Sequence, residues 1–178
     1  MSDFGKMSAE LSACTVHTLD GADVEFASLL GEKSTLILFV RHFGCIFCRT
    51  RLAGLQQYQS ELEASDIKAV VVGNGTVPMA RAFVEEIGWE LPLFTDPTGE
   101  AHKLAGMQRR FGLGPRAVLQ AVRAYTSGQR QGQTAGDVWQ QGGWLLVDAQ
   151  GTIKHRHADT GAGDSIDFSQ VLRRARTA

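Results

Sequence analysis

The sequence is short of the features that would settle its class on their own. It has three cysteines and four prolines in 178 residues. Three cysteines are too few to staple a small secreted fold, and a chain of this length buries enough apolar surface not to need them. No apolar run is longer than Leu36-Ile37-Leu38-Phe39-Val40, well short of the roughly 18–20 residues that cross a bilayer, so no membrane partner is expected. An excess of either charge is missing too. Lys and Arg number 18 against 19 Asp and Glu, for a formal charge of −1, which gives no bulk attraction to nucleic acid. Gly73 and Gly75 have neither a G-x-G-x-x-G pattern nor a Walker lysine beside them, so no nucleotide cofactor is expected. The first residues include Asp3 and Glu10 and no apolar signal core, which makes a cytoplasmic protein the expectation. What is present is 43% hydrophobic residues, enough for a packed core and too many for general disorder. The reading is one globular domain over residues 1–178, whose cysteines matter through their chemistry.

The hydrophobic pattern changes period along the chain. Thr15–Thr18 and Val24–Phe26 flank Asp20-Gly21 and read as a hairpin. Ser34–Val40 reads as a strand buried on both faces. Beyond Gly44, Cys48, Leu52, Leu55 and Leu62 fall on one face of a helix ending near Ser65. Ile67–Val72 is a second buried strand. Pro78 opens a helix with Met79, Phe83 and Ile87 on its inner face and Gly88 as its stop. Leu91–Phe94 is a short strand closed by Asp96-Pro97, and Gly99–Met107 a short helix. Gly114-Pro115 starts another helix, and Ser127–Gly136 reads as a mobile loop. Trp144–Val147 and Thr152–His155 form a second hairpin, and Ser165–Arg176 a closing helix with Phe168, Val171, Leu172 and Ala175 inward. Strands separated by helices need parallel crossovers, while the late hairpin adds an antiparallel pair. The predicted class is therefore α/β, a mixed central sheet flanked by helices.

Chemistry concentrates at Arg41-His42-Phe43-Gly44-Cys45-Ile46-Phe47-Cys48-Arg49. A buried strand runs into a glycine, and a Cys-x-x-Cys pair then opens a helix. The N–H groups of a first helical turn have no partner within the helix, and its positive dipole end favours an anion, so a thiolate is stabilised there. Arg41, His42, Arg49 and Arg51 add positive potential, with Arg51 placed to point away along the helix. Such surroundings lower a thiol pKa from about 8.5 to roughly 3.5–7.5. Residues three apart on a helix also lie near the separation a disulfide needs, so the two sulfurs can close a local bond. Zinc is the competing use of the pair. It requires four ligands, and only Cys14, His155 and His157 are at hand to complete a set. A third reading makes both cysteines small core residues.

The segment Phe39–Arg49 resembles the signature of the peroxiredoxin-like branch of the AhpC/TSA antioxidant proteins, which includes proteins similar to prostamide/prostaglandin F synthase. Leu91-Pro92-Leu93-Phe94-Thr95-Asp96, Gln141–Asp148 and Gly151-Thr152-Ile153 agree with it, and the match covers most of Asp20–Leu172. The resemblance implies a thioredoxin-like fold with an N-terminal β-hairpin and a helical insert at about 99–136, the surplus over a bare thioredoxin core. It also implies a thiol-dependent oxidoreductase acting on a peroxide or a disulfide, recycled by a thioredoxin- or glutathione-type reductant, with a homodimer open to it. Ordinary peroxiredoxins carry Pro-x-x-x-Thr-x-x-Cys. Here Arg41 stands at the Pro position, Cys45 at the Thr position and Cys48 at the peroxidatic position. The arginine that peroxiredoxins bring just before the penultimate strand is replaced by Gln141-Gly142-Gly143, leaving Arg41 to supply a guanidinium. The thioredoxin cis-proline is absent as well, with Gly143 nearest to its place. Peroxiredoxin chemistry makes Cys48 the nucleophile and Cys45 the resolving thiol of an intramolecular disulfide. Thioredoxin chemistry reverses the roles. A non-enzymatic alternative is a redox sensor that binds a partner differently in its dithiol and disulfide forms.

Other features are weighed beside the cysteines. No acidic residue lies between Glu100 and Asp137, while Lys103, Arg109, Arg110, Arg116, Arg123 and Arg130 accumulate. This is a solvated face or a docking surface for an acidic partner. His155 and His157 share one face of a strand, but with no further clustered ligand they read as part of an exposed edge strand. His42 beside the strand end is placed to give a proton to a leaving oxygen, although alternation sets it on the face opposite Arg41. Cys14 reads as a bystander thiol. Trp139 and Trp144 either line a pocket over the cysteines or fill core.

Overall fold

The seven residues of Ser34–Val40 form the strand on which the rest of the sheet is assembled, and all but Ser34 are buried. The computed structural model describes residues 4–43, 46–107, 139–160, 164 and 166–175. Cys45 and the expected insert beyond Met107, with its Gly114-Pro115 helix and its 127–136 loop, lie outside the described residues. In chain order the elements are α1 (Ala9–Ala13), β1 (Thr15–His17), β2 (Asp23–Glu25), a 3-10 turn (Phe26–Leu29), β3 (Ser34–Val40), α2 (Ile46–Gln57) and α3 (Gln59–Ala64). They continue with β4 (Ile67–Gly73), α4 (Val77–Ile87), β5 (Leu93–Thr95), α5 (Glu100–Leu104), β6 (Gly143–Asp148), β7 (Ile153–Ala158) and α6 (Phe168–Ala175).

The seven strands form one sheet in the order β2-β1-β5-β4-β3-β6-β7. β3 pairs in parallel with β4, and β4 with β5, while the remaining neighbours are antiparallel. This is the mixed sheet expected from the order of elements, with both hairpins in place. Alternation along the central strands splits the core into two layers. Leu36, Leu38, Val40, Val71, Trp144 and Leu146 face Cys48, Leu52, Leu55, Phe83, Phe168 and Val171 on the helices α2, α4 and α6. Ile37, Phe39, Val70, Val72, Leu145 and Val147 face Leu11, Phe26, Leu29, Ala101 and Ala105 on the other side. Burying both faces is what makes these strands read as continuous apolar runs.

Two expectations change in detail. The helix after the cysteines breaks at Tyr58 (φ −96°, ψ 3°), whose ring lies 5.5 Å from that of Phe168. Met79 is exposed and not on the inner face of α4. The inward stripe there is Ala80, Phe83, Val84 and Ile87, which keeps Phe83 and Ile87 of the expected face and puts Ala80 in the place of Met79. Gly88 does end α4, in the left-handed conformation (φ 61°, ψ 45°), with its N–H on the Val84 carbonyl. In α6, Phe168, Val171 and Leu172 are buried as expected.

Candidate active site

The carboxyl ends of β3, β4 and β5 lie along one edge of the sheet, and the register puts the start of β6 and the end of β7 there too, through Phe39, Gly143 and Ala158. Ligand chemistry in open α/β sheets gathers at this edge because chain leaving the strands there is free of ladder hydrogen bonds. Arg41 and His42 follow directly after β3, 7% and 4% exposed. The Arg41 Nε donates to the Gln140 carbonyl oxygen at 3.1 Å. That contact brings the guanidinium to the segment just before β6, the stretch where Gln141, Gly142 and Gly143 replace the expected arginine. Gly142 itself has no room for a side chain, since a Cβ would lie 2.5 Å from the Phe39 carbonyl oxygen.

Cys48 is the third residue of α2, within the first turn, and is buried in the layer between that helix and the sheet. Cys14 is buried in the opposite layer, where burial pushes its thiol pKa up, aided by the charges of Asp96 and Glu100. The sheet separates the two sulfurs. A zinc site joining Cys14 to Cys48 and the strand histidines is therefore contradicted, and Cys14 is a core thiol. Trp144 fills core and stacks against the β7 rings, with centroids 4.7 Å from His155 and 6.2 Å from His157. Trp139 is among the exposed large side chains.

Two of the four cations expected to act on the cysteines are committed elsewhere. Arg49 forms a two-pronged pair with Glu86 of α4, at 2.9 and 2.6 Å, and lies over the Phe83 ring. The Glu86 carboxyl is held below its usual pKa by that arginine. Arg51, three residues past Cys48, donates through Nη1 to Asp159 Oδ2 at 2.7 Å and through Nη2 to the Asp164 carbonyl oxygen at 2.5 Å. Paired Arg–carboxylate groups of this kind, the second of them buried, fix geometry and cancel much of the field each charge would exert alone.

Sequence reasoning missed two groups at this edge. His102, fully buried on α5, has Nδ1 2.7 Å from Asp96 Oδ2 and Nε2 3.1 Å from the Val40 carbonyl oxygen, the last carbonyl before Arg41. Asp96 also accepts from the His102 backbone N–H and from Thr98 Oγ1. Burial pushes the Asp96 carboxyl up, but the hydrogen bonds and charge of His102 outweigh it, and its pKa falls below the ordinary value. The Asp96-Pro97 turn and a histidine six residues on were the only signals in the sequence. The second group corrects the reading of the β7 histidines. β7 is an edge strand, but His157 clusters with Asp159 and Asp164, ligand atoms all within 4.8 Å of one another. Burial pushes the Asp159 carboxyl up despite the opposing pull of Arg51 and His157.

The comparisons with known proteins agree with this fold. Residues 54–161 match the model of the AhpC/TSA antioxidant enzyme family, a match that begins beyond Cys48. Prostamide/prostaglandin F synthase of Xenopus tropicalis is 32% identical over 164 residues, covering 88% of this chain and 81% of the relative. The thioredoxin-like protein AAED1, chloroplastic, of Arabidopsis thaliana is 28% identical over 184 residues, covering 95% and 73%. Among solved structures, peroxiredoxin Q of Xanthomonas campestris superposes with a TM-score of 0.70 at 13% identity, over 98% of this chain and 97% of the other. No helix among the described residues is long and apolar enough to cross a membrane. The chain belongs to the AhpC/TSA antioxidant enzyme family, whose members are thiol oxidoreductases on a thioredoxin-like fold.

Proposed function

We propose that the protein reduces hydroperoxides, with Cys48 as the attacking thiolate and Cys45 as the resolving thiol. The observation that carries this reading is the position of Cys48: within the first turn of α2, buried to 4% exposure, at the sheet edge where the buried Arg41 also lies. The unsatisfied N–H groups and dipole of that turn favour the thiolate. Burial of this degree closes the sulfur to the bulk of a folded disulfide partner, whereas a small peroxide needs only a narrow opening to reach it.

The chemistry balances with groups of this chain. The Cys48 thiolate attacks one peroxide oxygen, and the O–O bond breaks. Cys48 becomes a sulfenic acid, two electrons having passed from sulfur to oxygen, and the alkoxide or hydroxide leaves. Arg41 and His42 leave β3 on opposite faces, so one of them serves the leaving oxygen: Arg41 by stabilising its developing charge, or His42 by giving it a proton, with solvent supplying the proton in the first case. The Cys45 thiol then displaces hydroxide from the sulfenic acid, forming the Cys45–Cys48 disulfide and water. A dithiol of the thioredoxin or glutathione type restores both thiols by exchange.

Steady-state peroxide consumption with a thioredoxin-type reductant tests the assignment. Cys48→Ser is expected to lower the rate by roughly 100-fold or more. Cys45→Ser should keep the first, stoichiometric oxidation and lose turnover. If both variants consume peroxide as fast as the wild type, the reading fails. If Cys45→Ser alone abolishes reaction while Cys48→Ser forms stable mixed disulfides with a protein substrate, disulfide exchange through Cys45 replaces it.

A further inference from the structure

We propose that His157, Asp159 and Asp164 form a binding site for a divalent cation that takes nitrogen and oxygen ligands, with zinc as the type. The three offer ligand atoms within 4.8 Å of one another. His157 Nε2 and Asp159 Oδ1 stand 3.7 Å apart, too far for a hydrogen bond. Two ligands at tetrahedral angles, bound at about 2.0–2.2 Å, lie roughly 3.3–3.6 Å from each other, so this separation suits a shared ion.

The hydrogen bonds around the cluster point the same way. Each carboxylate has one oxygen held from outside. Asp159 Oδ2 accepts from Arg51, and Asp164 Oδ2 accepts from the Thr160 backbone N–H at 2.6 Å and the Thr160 hydroxyl at 3.0 Å. The remaining Asp159 oxygen, on a side chain only 2% exposed, has no hydrogen-bond partner among the described residues, and neither has His157 Nε2. Buried polar atoms are satisfied in the great majority of cases, and a bound ion is one standard reason for an exception. Metal-ligating carboxylates are typically steadied by second donors, the part Arg51 and Thr160 play here. The His157 side chain is 41% exposed, so the cluster lies close to the protein surface. Arg51 sits one turn past Cys48, so an ion here ties His157 of β7, Asp159 and Asp164 to the flank of the helix that carries the thiol.

The probe is Zn²⁺, titrated calorimetrically into the full chain, with Co²⁺ as a spectroscopic stand-in. The expected result is one equivalent bound. Its Co²⁺ form should show visible ligand-field bands without the intense sulfur-to-metal charge transfer that thiolate ligation brings. His157→Gln and Asp164→Asn, both on accessible side chains, should each weaken binding by at least about tenfold, and His155→Gln should leave it unchanged. The Cys45→Ser/Cys48→Ser double variant should still bind. Binding lost with the two cysteines, binding unaffected by both His157→Gln and Asp164→Asn, or no uptake by the folded chain overturns the proposal.

Discussion

Asp96 and Asp159 grip the same sheet edge from its two faces, and each is buried against a basic side chain. Asp96 receives the ring and backbone N–H of His102 together with the Thr98 hydroxyl. Its pKa is lowered because those donors overcome the cost of burial. Asp159 has Arg51 on one oxygen and no hydrogen bond on the other among the described residues, and its pKa is raised. Burial alone does not decide the state of a carboxylate; the number of donors that reach it does. The Asp96 corner is thus a completed structural pair that fixes the Val40 carbonyl and the strand end leading to Arg41. The Asp159 corner is half completed, with capacity left for a ligand.

The contrast makes different demands on stability. His102→Ala leaves a charged group at 0% exposure without its partner, and should cost about 3–5 kcal/mol in urea denaturation. Arg51→Met removes the hydrogen bonds to Asp159 Oδ2 and to the Asp164 carbonyl oxygen, but it leaves a carboxyl whose raised pKa eases its neutralisation, and a smaller loss of about 1–3 kcal/mol is expected. If the two losses prove equal, the distinction between the corners falls.

The acid limb of stability separates them further. The folded pKa of Asp96 lies below its unfolded value, so its contribution is present above about pH 4 and is lost as pH falls through the lower, folded value. Asp96→Asn should flatten that part of the pH–stability curve, measured by denaturant midpoints in buffers below about pH 4. An unchanged acid slope would show that His102 does not hold the carboxylate charged. The smallest effect belongs to Glu86→Gln at the exposed end of the Arg49 pair, where stability should move by no more than about 0.5 kcal/mol.

Much of the frame was legible because it rests on local signals. Ser34–Val40 announces a strand covered on both faces, Pro78 and Gly88 bracket α4, and Asp20-Gly21 marks the first hairpin. Cys48 in a first helical turn follows from a glycine between a buried run and a period-3.6 pattern. The braces around it were not legible, because they join residues remote in sequence. Arg51 and Asp159 are 108 positions apart, and Arg41 meets a carbonyl 99 positions away. Nothing in the order of Lys154-His155-Arg156-His157 reveals that Asp159 and Asp164 lie beside His157. Met79 failed for a related reason, since spacing defines a helical face but not how that face is rotated against its neighbours. Cys14 and Cys48 look alike in sequence and differ only in the layer of core that receives each.

The most direct test of the account is chemical. The reduced chain is given one equivalent of hydrogen peroxide in the presence of a dimedone-type trap, and the modified residue is located by mass spectrometry. The account predicts a sulfenic-acid adduct on Cys48 in the Cys45→Ser variant and a Cys45–Cys48 disulfide in the wild type. An adduct confined to Cys45, with Cys48 unmodified in every variant, would contradict it.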